Sequence, residues 1–128
     1  RPTVVEEGHH RRALERLTGI TAHENQARRL LSAMRGYGGW LAQTEGEVLP
    51  DAVMAYRWLK ERFEPALAAI PADLRRRRED AEQYCEILDH NWKMSEDRGV
   101  EVPLEVAVAS YVEHVVAAQP DEFTVLPE

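Results

Sequence analysis

Cys85, Glu86, Asp89 and His90 are the residues of this chain whose types and spacing come nearest to a chemical site. Cys85 and Asp89 stand four residues apart, as do Glu86 and His90, so on a helix each pair shares a face and can offer two donors to one metal ion. Further ligands would come from another helix, with His9, His10, His23 and His114 as contributors. Read as structure, Cys85 lies on an apolar stripe and packs as a small hydrophobe, while Glu86 and His90 form a solvated helix pair. The structural reading is favoured, so neither a metal nor another cofactor is expected. Asp89-His90-Asn91 echoes a kinase catalytic loop only superficially. The chain has no Gly-x-Gly-x-x-Gly loop, no strand lysine and no Asp-Phe-Gly to hold magnesium, and no catalytic residue is expected in it.

Two other residue sets could recognise a partner. Arg28 and Arg29, with the run Arg75, Arg76, Arg77 and Arg78, could meet phosphate groups on nucleic acid or a phosphorylated ligand. Four successive arginines point in different directions around a helix, no aromatic residues alternate with them as a stacking platform requires, and Asp73, Glu79, Asp80 and Glu82 stand close enough to neutralise them. The second set is aromatic. Trp40 and Trp58 are the preferred anchors of a docking surface, with Arg57 and Arg62 on its rim.

Helices must position these residues. Leu14 and Leu17 mark a short helix that Gly19 should stop. Ala27, Leu30, Leu31, Met34 and Leu41 keep helical spacing in a second, for which Thr21 and Glu24 fit a capping box. Gly36, Gly38 and Gly39 weaken its far end, and a kink there or the close approach of another backbone would explain them. Pro50 suits the start of a third helix through Ala52, Ala55, Tyr56, Leu59 and Phe63, which Pro65 should break or bend. Ala81, Tyr84, Cys85, Leu88 and Trp92 trace a fourth, ending at Gly99. Leu104, Ala107, Val108, Tyr111, Val112 and Val115 trace a fifth, opened near Pro103 and closed before Pro120. No strand pair is visible. The expected architecture is an all-α bundle of about five helices, one domain over residues 1–128, with a short extended segment at Pro2 to Val5.

The 128 residues are 44% hydrophobic and 30% charged, a composition suited to one globular domain rather than a disordered tail. No apolar run is long enough to span a membrane. A single cysteine excludes an internal disulfide and suits a reducing, cytoplasmic compartment. The net charge of −7 is unevenly spread: residues 1–35 hold seven arginines against four acids, whereas residues 100–128 hold six acids and no base. An acidic total argues against a dedicated nucleic-acid binder. The opening Arg1-Pro2-Thr3 shows neither an initiator methionine nor a signal pattern, and the chain is expected to be part of a longer protein.

Gly8-His9-His10-Arg11-Arg12, Leu17-Thr18-Gly19-Ile20 and the run Glu24 to Leu31 resemble one family. So do Tyr56-Arg57-Trp58-Leu59, Phe63-Glu64-Pro65, Glu86 to His90 with Trp92, Ser95 and Glu96, Ser110-Tyr111-Val112 and Pro120-Asp121-Glu122. Together they resemble the C-terminal domain of unknown function of actinobacterial proteins related to lipopolysaccharide kinases of the Kdo/WaaP type. The resemblance implies a kinase-like domain before this one and brings no catalytic residue with it. It departs at Cys85, where histidine is common in the family. The function to be expected is noncatalytic: an accessory or docking domain that contacts the kinase-like part, another protein or a second copy of itself.

Overall fold

A computed structural model describes residues 7–115 and Ala118. The extended segment expected at Pro2 to Val5, and the helix end expected before Pro120, lie outside the described residues. Among the described residues every regular element is helical and there is no strand. None of the helices is long and apolar enough to cross a membrane. The chain divides into two compact units, Arg1–Arg62 and Phe63–Glu128.

In the first unit, α1 (His9–Thr18), α2 (Glu24–Glu45) and α3 (Asp51–Trp58) pack on one another. Gly19 stops α1 as its sequence requires. It takes the left-handed conformation at φ 76° and returns its N–H to the carbonyl of Glu15 at 2.8 Å. Leu14, Ala27, Leu30, Leu31, Met34, Leu41 and Ala55 are buried, so the α2 stripe read from the sequence does face inward. Gly38 is where a neighbour comes closest: a Cβ built there would lie 2.1 Å from Sδ of Met54 on α3. Gly36 and Gly39 face open space. One glycine of the three therefore makes the α2–α3 contact possible.

The capping box falls elsewhere than expected. α2 begins after His23, whose backbone N–H donates to Oε1 of Gln26 at 3.1 Å. Thr21 lies outside the helix and is exposed. Glu24 turns away from its own helix to α1, accepting the backbone N–H of Arg11 at 2.9 Å and that of His10 at 3.2 Å.

α3 runs into a π-helical stretch, Leu59–Phe63, and α4 (Glu64–Ala68) follows with Pro65 in its first turn. A proline there has no amide to give the carbonyl four residues back, and its ring crowds that turn. A widened turn just before it accommodates both effects without ending the helix.

The second unit comprises α4, the short α5 (Ala72–Arg75), α6 (Asp80–Arg98) and α7 (Leu104–His114), with α4, α6 and α7 in mutual contact. Phe63, Leu67, Tyr84, Cys85, Ile87, Val108 and Tyr111 are buried, and the Phe63 and Tyr84 rings lie 4.9 Å apart. The buried face of α6 is turned relative to the expected one. Ile87 is buried in place of Leu88, which is half-buried, and Trp92 is 66% exposed. Beyond the five helices expected, the chain adds α4 and α5, both too short to show a period.

Candidate interaction face

The second half of α2 places Tyr37 and Trp40 one turn apart, so their side chains share a face. The rings stack with centroids 5.8 Å apart and planes inclined by 18°. Arg62, at the end of the first unit, lays its guanidinium over both, 4.9 Å from the Tyr37 ring centre and 5.7 Å from that of Trp40. An arginine within about 6 Å of an aromatic face is attracted by the ring quadrupole, by roughly 0.5–1 kcal/mol at exposed sites. Trp40 nevertheless remains 51% exposed, so a large apolar surface is fixed in orientation yet open to a partner.

A charged frame holds this stack. Arg57 gives two parallel hydrogen bonds to Glu45, at 2.9 and 3.1 Å, and donates from Nε to Glu61 at 2.9 Å. The Tyr37 hydroxyl donates to the same Glu61. The hydrogen bonds from Arg57 hold the Glu45 and Glu61 carboxyls below the usual carboxylate range, with Tyr37 adding to the effect at Glu61. Burial and then the Glu61 carboxylate push the Tyr37 hydroxyl upward. At neutral pH the frame thus consists of a neutral phenol, two carboxylates and an arginine in fixed donor and acceptor roles. Also on α3, Tyr56 is exposed, and Lys60 lies 5.9 Å from its ring centre.

Of the four residues proposed from the sequence, Trp40, Arg57 and Arg62 come together here. Trp58 does not: it is 1% exposed and is a core residue rather than a surface anchor. Tyr56, two residues away on the opposite side of α3, is exposed instead. Tyr37, Glu45 and Glu61 were not singled out from the sequence. Their signals were the three-residue step from Tyr37 to Trp40 and the four-residue step from Arg57 to Glu61, both ordinary on any helix.

The arginine clusters are dispersed or engaged. Arg75 pairs with Asp80 at 3.2 Å, and Arg78 approaches Glu82 at 3.9 Å and Glu86 at 3.8 Å. Asp80 and Glu82 are two of the four neighbouring acids expected to neutralise the run, and Glu86 is a further partner. Arg76 and Arg28 are exposed, whereas Arg77 and Arg29 are half-buried.

The residues weighed as metal ligands do not converge. Cys85 is buried, Asp89 is exposed, Glu86 accepts the Tyr111 hydroxyl at 2.7 Å, and Nε2 of His90 meets the Ser110 hydroxyl at 2.8 Å. Among the described residues no three His, Cys, Asp or Glu side chains gather as a metal site would require. Next to Tyr111 lies Gln83, fully buried, and neither its amide oxygen nor its nitrogen is in a hydrogen bond among the described residues. Burial, and then Glu86, push the Tyr111 hydroxyl well upward, and the nearby Gln83 amide opposes that shift without reaching hydrogen-bonding geometry.

No curated protein and no solved structure matches this chain significantly. A family model described as "Domain of unknown function (DUF4032)" matches residues 1–116, and the chain belongs to that family.

Proposed function

We propose that this is a noncatalytic helical accessory domain that works by protein–protein contact, and that the Trp40 face is its docking surface. The observation that carries the reading is the half-exposed Trp40, stacked on Tyr37 beneath Arg62 and framed by Arg57. Docking sites are centred on aromatic and arginine anchors of this kind, rimmed by polar groups. Much of the ordering of the anchors is already done before a partner arrives, which lowers what association costs. The partner that fits best is a kinase-like domain of the same parent protein, since the sequence resembles the C-terminal domain of actinobacterial lipopolysaccharide-kinase-like proteins. The single cysteine, reduced and buried, accords with a cytoplasmic setting for that assembly.

The test is the affinity between this domain and the kinase-like region supplied as a separate chain. Trp40→Ala should weaken it by about tenfold or more, as truncating a central anchor does. Raising the salt concentration should weaken it only modestly. Undiminished affinity in Trp40→Ala, or a steep salt dependence abolished by replacing Arg28 and Arg76, would replace docking with phosphate recognition.

A further inference from the structure

The second unit carries another exposed tryptophan, and its surroundings differ from those of Trp40. α6 ends at Gly99, and the chain then folds back along the helix. Nδ2 of Asn91 donates to the Val102 carbonyl at 2.8 Å, and the Val102 N–H donates to the Ser95 hydroxyl oxygen at 3.0 Å. Val102 is buried by this stitching. Between the loop and the helix runs an open groove of about 640 Å³. Its apolar wall is Leu88, Trp92 and Val100, of which Trp92 is 66% and Val100 64% exposed. Among the described residues the only charged ones lining it are Glu96, one helical turn beyond Trp92, and Glu101 on the loop. Neither is ion-paired among the described residues, in contrast to Glu45 and Glu61 of the other unit.

We propose that this groove docks a short basic peptide segment of a partner protein, one that alternates arginine with leucine. A leucine would cover Leu88 and Val100. An arginine would lay its planar guanidinium on the exposed indole of Trp92 and direct its donors to Glu96 and Glu101, a combination of stacking and carboxylate pairing that lysine performs less well. Nucleic acids and anionic lipid surfaces carry the wrong charge for a groove whose only charges are carboxylates. The two side-chain hydrogen bonds to Val102 fix the loop in advance, so little backbone ordering is left for binding. This surface is distinct from the Trp40 face and does not depend on it.

The experiment is ¹⁹F NMR of the full chain labelled with 5-fluorotryptophan, its three resonances assigned through Trp40→Phe and Trp92→Phe. The probe is an acetylated, amidated Arg-Leu-Arg-Leu-Arg peptide, with Glu-Leu-Glu-Leu-Glu as control. The expected result is a saturable shift of the Trp92 resonance with the basic peptide only, with affinity lowered about fivefold or more in the double variant Glu96→Gln, Glu101→Gln. The buried Trp58 resonance, unchanged throughout, reports that each variant is folded. The proposal is overturned by no Trp92 shift, by an equal response to the acidic peptide, or by undiminished affinity in the double variant. A Trp92 resonance that moves with protein concentration alone would also overturn it, by showing that a second copy occupies the groove.

Discussion

Glu24, the first residue of α2, caps the start of α1 through His10: one carboxylate oxygen accepts the His10 backbone N–H at 3.2 Å and meets its Nδ1 at 2.6 Å. The other oxygen takes the Arg11 N–H at 2.9 Å. Two of the amides that a helix leaves unpaired at its N-terminus are thus satisfied by a neighbouring helix rather than by the residue before them, which is a glycine. The negative charge also stands at the positive end of the α1 dipole.

These contacts, that of Arg11 foremost, hold the Glu24 carboxyl at about 2 against an ordinary 4.5. A depressed carboxylate stabilises the fold fully above its ordinary value, and that contribution disappears as pH falls towards 2. Glu24→Gln should therefore unfold at lower urea concentration than the parent chain at pH 7, and the gap between them should close between pH 4.5 and 2. A gap that stays constant over this range would show that the charge is not what matters.

Gly38 and Gly36 make a matched pair. Gly38→Ala drives a methyl into the Met54 thioether and should cost about 1–3 kcal/mol, as overpacking does. Gly36→Ala meets nothing within 4 Å and should stabilise α2 by up to about 1 kcal/mol. Thermal or urea melts of the two variants should move in opposite directions. If they move together, the Met54 side chain yields to the added methyl and Gly38 does not limit the α2–α3 contact.

Gln83 is buried with its amide unpaired among the described residues, a costly state for a polar group. Gln83→Met keeps the length of the side chain and removes the orphaned donors and acceptor. It should raise stability by about 1–3 kcal/mol, read as a higher urea midpoint at unchanged slope. A loss of stability would show that the amide holds Tyr111 in place.

The helix ends were the most legible part of the sequence. Pro50 and Pro103 each stand directly before a helix, and Gly19 and Gly99 end two others, because these residues act through their own backbone. The direction of each buried face was harder to read. Steps of four residues drift by about 40° on a helix of 3.6 residues per turn, so a stripe drawn through Tyr84, Leu88 and Trp92 starts inside and ends in solvent. On α3 the choice between Tyr56 and Trp58 is a choice between opposite sides of one helix, and both are aromatic. The Glu24 cap was hidden for a different reason. A carboxylate three residues after a threonine fits a local capping box, and only the packing of α1 against α2 supplies a better donor pair.

The candidate face was half visible. Trp40, Arg57 and Arg62 declare themselves by type, but the frame that orients them depends on Glu45 and Glu61 reaching one guanidinium from two helical segments. Nothing in the linear order distinguishes these two carboxylates from the other acids of the chain.

Hydroxyl-radical footprinting of the three tryptophans, in this domain alone and in the intact parent protein, tests the docking account most directly. Trp40, half-exposed here, should be oxidised readily in the isolated domain and become strongly protected in the parent. Trp58, buried in this structure, should resist oxidation in both and serve as the internal standard. Equal oxidation of Trp40 in the two samples, with Trp58 still resistant, would contradict the claim that this face is where the domain docks.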